Sequence, residues 1–307
     1  MEIPLIQNNR NPKSMVWWTD PWVWIFFIIA GAGYAVASYF SREWLSNILY
    51  IGAVILASLL VLVFTRKTAP LPLEVPRPSL ESCILFGYYL VFLVLSFIMR
   101  GGGLSGNEFG KWLWFIVLPI LLVFLFRLPQ KDIRAVFQSI GLHRQGLKKA
   151  ILLAFLAYAV FILVFPLILS TSQLQTLQEL FHSPLRLLVL IPLSFLFSLV
   201  TAPFTEEIFF RGILQTRLSI LFRSEIRSCL LVAFLFGIYH LPYAYFLTSW
   251  PTHGNMLWAI SNVLVEQMLA GLLLGILWFR TRNLAGPILF HALVDTVAVM
   301  TSININF

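Results

Sequence analysis

Charge is scarce in this chain. Only 11% of its 307 residues are Asp, Glu, Lys or Arg, and 59% are hydrophobic. A soluble domain carries about 25% charged residues, so a water-solvated domain is excluded and a bilayer is the expected solvent. The mean hydropathy of +0.87 says the same. Cysteine is equally sparse: Cys83 and Cys229 lie in or beside apolar segments and supply neither a disulfide framework nor a thiolate metal site. The string H-E-x-x-H does not occur, which excludes the zinc site of that hydrolase class. There is no low-complexity tract, no internal repeat and no stretch that reads as a soluble domain. The polar segment Met1–Ser14 has no A-x-A-like cleavage site after it. It reads as a cytoplasmic tail before a first span, not as a cleaved signal peptide.

Long hydrophobic runs dominate instead. A spanning helix needs roughly 20 mostly apolar residues. Nine segments qualify, at about 19–40, 44–64, 80–99, 112–126, 150–170, 185–210, 228–247, 258–279 and 284–303. The expected fold is therefore all-α, a polytopic membrane helix bundle of about nine transmembrane helices (range eight to nine). With this count, all but four of the 21 Lys and Arg residues fall on the side of the N-terminus; the exceptions are Arg42, Arg100, Lys111 and Arg186. By the positive-inside rule the N-terminus is cytoplasmic and the C-terminus lies outside. The net charge of +8 then needs no nucleic acid partner. Topology and the anionic headgroups of the lipid bilayer account for it.

Two connections look structured, Pro129–Lys149 and Gln215–Arg227. The second alternates apolar and basic residues as an interfacial amphipathic helix would. The proline-rich segment Thr68–Ser79 divides the chain. Residues 1–79 form a tail, two peripheral transmembrane helices and a linker; residues 80–307 form the main bundle.

A charge at the centre of a bilayer helix costs about 2.5–3.5 kcal/mol on insertion scales. The main bundle nevertheless holds Glu206, Glu207, Arg211, His240, Glu266, His291 and Asp295 within or at the ends of its spans. Glu207 and Arg211 are spaced i,i+4 with the acid N-terminal, the better order for an ion pair. The plain reading is a structural clamp. Glu206 sits about 100° further round the helix, where the same Arg is a poor partner, and this freedom suits a general base. Pro203 is expected to kink the helix just before the acids, and Pro242 to distort it just after His240. A lone buried His is commonly a hydrogen-bonded core residue, and Asp295, i,i+4 from His291, commonly just orients its partner. Together, however, these groups on three spans can meet only inside the bundle. Counted from Arg217, Arg227 and Arg282, they lie about 13–20 Å deep. A water-filled pocket open to the cytoplasm is expected, with the parts for hydrolysis or proton movement.

Three fragments, in order and on separate spans, resemble the CPBP family of intramembrane proteases. They are Glu206-Glu207-x-x-x-Arg211, Phe236-x-x-x-His240 and His291-x-x-x-Asp295. That family includes the type II CAAX prenyl endopeptidases and bacterial bacteriocin-processing or self-immunity proteins. The resemblance covers about 185–303. It implies an intramembrane endopeptidase acting on membrane-associated, prenylated or leader-peptide substrates, in a prokaryotic cytoplasmic membrane. It further implies that Glu206 activates a water with the help of His240, while Arg211 holds Glu207. His291 and residue 295 would stabilise the oxyanion. The family pattern usually has Asn at the last position. Asp295, when ionised, would repel an oxyanion; it can instead donate if protonated, orient His291 or ligate a metal.

Cofactor use stays open at this level. Glu206, His240 and His291 satisfy a zinc ligand count with one position left for water, and a water activated by Glu and His alone also fits. Two rival readings use the same residues: a proton-coupled transporter with a Glu/His relay, and a non-catalytic immunity or scaffold protein. The string Gly103-Leu104-Ser105-Gly106 matches G-x-S-G of serine intramembrane proteases. It falls in an outer glycine-rich loop, away from both histidines, and reads as a turn. Glu266 belongs to no motif and either lines the cavity or bonds to Asn262.

Overall fold

A computed structural model describes residues 19–66, 75, 77–101, 108–126, 139–168, 174–175, 178–179, 181–182 and 184–302. The N-terminal tail, most of the proline-rich linker, Gly103–Gly106 and the first half of the Pro129–Lys149 connection lie outside them. Among the described residues every regular element is helical. The helices are α1 (Pro21–Ser41), α2 (Trp44–Thr65), α3 (Pro78–Ile98), α4 (Phe109–Leu125), α5 (Leu147–Ile168) and α6 (Pro184–Val200). There follow α7 (202–222), α8 (Glu225–Tyr239), α9 (Leu241–Phe246), α10 (Met256–Val265), α11 (Gln267–Thr281) and α12 (Ala285–Ser302).

Among the described residues seven helical runs are long and apolar enough to cross a membrane, and α4 and α12 are shorter apolar helices at the fourth and ninth expected positions. The protein is a polytopic helical bundle. Local sequence sets several helix starts. The side chain of Asp20 accepts from the backbone N–H of Trp22 at the head of α1, while Ser224 and Asn255 do the same for α8 and α10. Each satisfies one amide that the first helical turn leaves unpaired.

The centre of the bundle is the crossing of α8 and α11, the most extensively packed pair. Small residues allow this approach. A Cβ added at Gly275 would come 2.6 Å from Cys229 Sγ, and one at Gly271 would meet the backbone of Ala233. Around this pair stand α2, α5, α12 and α6, while α1 packs chiefly on α10. Thus α1 and α2 dock on the body by separate faces and touch each other much less.

The contacts define two ends. At one end Arg227 pairs with Asp20 (2.9 Å), Arg282 with Glu225, and Arg280 with Thr65, while Asn283 donates to the carbonyls of His143 and Gln145. Trp22 meets Phe222 there. At the other end Phe97 meets Phe246, Phe40 stacks on Trp258, and Ser46 reaches the carbonyl of Leu167. The first is here called the basic end.

One expectation changes. The segment Gln215–Arg227 does not form a separate amphipathic helix. Its first part completes α7, with Thr216 to Ser219 buried, and Arg217 pairs with Glu81 at 3.1 Å with both side chains fully buried. Alternating basic residues suggested a wet face, but one of those cations has a buried partner 136 residues away. His240 closes α8, and α9 restarts immediately with Pro242 in its first turn, the distortion expected there.

Candidate active site

The site begins with a break. At Thr201 the backbone leaves helical geometry (φ −87°, ψ −102°), and α7 starts afresh with Pro203 in its first turn, where a missing N–H does no harm. The Val200 carbonyl is taken instead by the indole N–H of Trp112 at 3.1 Å. That bond fixes the start of α4 and with it Lys111. Beyond the break, Thr205, Glu206 and Glu207 are all buried. From Ile208 to Gln215 the helix widens into a π turn, a feature frequent at functional sites.

The two acids have separate surroundings. Glu207 Oε1 receives Arg211 Nη1 at 3.1 Å and faces His291 Nδ1 at 2.9 Å. Arg211 is wholly buried, donates through Nη2 to the carbonyl of Gly271 at 3.2 Å, and lies over the Phe236 ring at 4.4 Å. A guanidinium enclosed by a carboxylate, a carbonyl and an aromatic face is compensated on several sides. Glu206 Oε1 accepts from the Tyr239 hydroxyl at 3.2 Å, and its Oε2 has no hydrogen-bond partner among the described residues.

His240 Nδ1 lies 2.8 Å from the carbonyl of Phe236. A carbonyl only accepts, so Nδ1 carries the proton and Nε2 of the neutral ring is left as an acceptor. His291 has carboxylates on both nitrogens, Glu207 at 2.9 Å and Asp295 at 3.5 Å. Carboxylate oxygens accept, so both ring nitrogens are placed to donate, although the Asp295 contact is too long for a good hydrogen bond.

Glu206, His240, His291 and Asp295 line one cavity of about 360 Å³, together with Lys111, Ala202, Tyr239, Tyr243, Leu247, Trp250 and Gln267. Glu207 and Arg211 lie behind its wall. Lys111, Tyr239 and Gln267 belong to no motif. Only the adjacency of Tyr239 to His240 hints at its role in the sequence. Glu266 does not line the cavity: its side chain accepts from Asn262 at 2.8 Å and its carbonyl from the Tyr50 hydroxyl.

The zinc alternative finds no support in this arrangement. Among the described residues no three His, Cys, Asp or Glu side chains converge with metal-holding geometry. In the set Glu206, His240 and His291, the two nitrogens of His291 are directed at Glu207 and Asp295, and one nitrogen of His240 is tied to the backbone.

Measured from the basic end, the cavity is deep on two helices and shallower on the third, where His291 is six residues into α12. Glu206 is about 24 Å along its helix from Phe222, and His240 about 22 Å from Glu225, both at the basic end. On the other side Pro242 already touches the backbone at Gly101, just past the end of α3, and Leu247 and Trp250 come from the turn after α9.

Residues 188–297 match the family model described as type II CAAX prenyl endopeptidase Rce1-like. That stretch begins in α6, ends in α12 and contains all three motif fragments. No curated protein and no solved structure matches the chain.

Proposed function

We propose that this chain, which belongs to the type II CAAX prenyl endopeptidase Rce1-like family through residues 188–297, hydrolyses peptide bonds of membrane-held substrates with a water activated by Glu206 and His240. The observation that carries the reading is the division of labour between adjacent acids. Glu207 is held through Oε1 by Arg211 and His291, whereas Glu206 forms no ion pair among the described residues, takes only the Tyr239 hydroxyl and faces the cavity.

Peptide hydrolysis needs a base for the attacking water and donors for the developing oxyanion. Glu206 supplies the base, oriented by Tyr239. His240 Nε2, left as an acceptor, holds the same water from a second element. As the tetrahedral intermediate forms, His291 Nε2–H turns from its long contact with Asp295 to the oxyanion. Asp295 then acts as a positioning residue for His291 and not as an oxyanion donor. This gives the departure from Asn a role that its charge permits. By the positive-inside rule the basic end, and the head of α1 with it, faces the cytoplasm. Prenylated chain ends are the substrate class that the family description brings into view.

The test is cleavage by purified protein in lipid of a panel of membrane-associated and prenylated peptides, beside Glu206→Gln and His240→Ala. Wild type is expected to cut at least one peptide and both variants to leave it intact. Equal turnover by wild type and variants would sink the reading.

A further inference from the structure

We propose that Lys111 selects the substrate: its ammonium group takes a carboxylate carried into the cavity. The carboxylate is either the free end of a peptide chain or an acidic side chain close to the scissile bond. That it belongs to a peptide rests on the peptidase reading above; that the cavity receives a carboxylate does not.

Three observations carry it. The first is an unanswered charge. Ionisable groups persist in a membrane bundle when they are paired or when function requires them. Arg211 is answered by Glu207 and Arg217 by Glu81. Lys111 is half-buried and is the only Lys or Arg lining the cavity among the described residues. Among those residues no ion pair or hydrogen bond engages its ammonium, not even with Glu206 or Asp295 of the same cavity. The second is how firmly it is placed. The next residue, Trp112, donates to the Val200 carbonyl at 3.1 Å and lays its ring against Phe204, centroids 5.4 Å apart. Beyond it the helix widens into a π turn, Leu113–Val117, in which buried Phe115 packs against Phe209 and Tyr239. The Trp114 carbonyl there accepts from the Tyr88 hydroxyl. A cation on a backbone held this way is pre-organised, so less of its binding energy is lost to ordering.

The third is the company it keeps. Tyr239, Tyr243, Leu247 and Trp250 give the cavity aromatic and apolar walls, and its volume of about 360 Å³ is that of a small-ligand site. Walls of this kind accept a short apolar segment, and a few polar groups then fix its orientation. Lys111 and Gln267 are the polar groups there that the hydrolytic reading leaves unused. A carboxylate reaching Lys111 gains a charge-assisted hydrogen bond, whereas a neutral amide leaves the ammonium desolvated and without a counter-charge. A basic group is repelled. Glu206 and Asp295 oppose an acid placed anywhere else in the cavity, so the same charges that admit it also set its register. Lys111 lies on α4, outside the matched residues 188–297. Selection is thus supplied by an element separate from the one that carries the acids and histidines.

The experiment is binding of dye-labelled peptides to the full chain in lipid nanodiscs, followed by fluorescence anisotropy with empty discs subtracted. The probe is a prenylated peptide with an apolar end, made in three forms. One has a free terminal carboxylate, one has that end amidated, and one is amidated but carries an aspartate in the apolar stretch. Wild type is expected to bind at least one acidic form about 10–100-fold more tightly than the neutral form, the range of a hydrogen bond to a charged group. Which acidic form gains distinguishes a chain end from a side chain. Lys111→Met should remove the preference and Lys111→Arg should keep most of it. Lys111→Glu should turn it toward a fourth peptide with lysine in place of the aspartate. The thermal midpoint of each variant in the same discs reports folding, and Lys111→Gln replaces Lys111→Met if the latter does not fold. Equal binding of all forms by wild type overturns the proposal, as does binding of none. So does a preference that survives loss of the ammonium, or a weakening that is alike for acidic and neutral forms. Binding needs no turnover, so a protein that cleaves nothing can still support the carboxylate site. The cleavage assay above tests the peptidase reading by itself.

Discussion

At the basic end of the bundle, charge is matched almost group for group. Arg217 meets Glu81, Arg282 meets Glu225, Arg227 meets Asp20, and Arg280 donates to Thr65. Elsewhere, Glu206 has one phenolic donor and faces a cavity, and His240, which lines the same cavity, spends one ring nitrogen on the Phe236 carbonyl. Both arrangements place ionisable groups inside an apolar bundle, but they serve different purposes. Matched charges hold helices in register and have little left to offer a substrate. An incompletely matched carboxylate beside water-sized space is poorly used as a brace and well placed for proton transfer. Arg211 and Glu207 join the two regimes, since the clamp that braces the bundle also forms the back wall of the cavity.

The contrast can be broken at either end. Glu206→Gln should give the largest effect, a loss of peptide hydrolysis of at least about 10²-fold, typical for removing a general base. Unfolding in detergent should change by less than about 1 kcal/mol, because the amide still accepts from Tyr239. Arg217→Met should do the opposite. It strands the fully buried Glu81 carboxylate, and breaking such a pair costs about 3–5 kcal/mol. The thermal midpoint should fall clearly while turnover per folded molecule stays near that of wild type. Adding Glu81→Leu should restore much of the loss. Tyr239→Phe probes the border: removing one neutral donor should lower kcat about tenfold, equivalent to roughly 1.4 kcal/mol, with KM little changed. The smallest effect is expected for Asp20→Asn. Its partner Arg227 is 44% exposed at the side chain, and exposed pairs contribute about 0–1 kcal/mol. A large destabilisation there would mean that the basic end is held together differently from the buried pairs described.

How much of this was legible in the sequence follows from the range of each interaction. Helical runs are local and apolar, so their existence and order could be read directly. The clamp of Glu207 with Arg211 and the juxtaposition of His291 with Asp295 are i,i+4 relations on one helix, and these too are visible as spacing. Glu81 with Arg217 joins residues 136 apart, and Tyr239 with Glu206 joins residues 33 apart; no periodicity marks either. Lys111 reads as a boundary charge before an apolar helix. Its place in the cavity depends on where Trp112 finds an unpaired carbonyl, which is a property of the break at Thr201.

The widened turn between Ile208 and Gln215 has a consequence for how the chain tolerates insertion and deletion. A π turn takes up more residues per revolution than an α turn, so it works as a phase adjuster between the acids above it and Arg217 below it. One residue removed from this stretch is largely taken up as the helix relaxes to the α repeat, but one added would turn everything upstream by about 100° relative to Arg217. Glu206 would then leave the cavity, even though no side chain that touches it had been altered. Its aim is set by a residue count as well as by its neighbours.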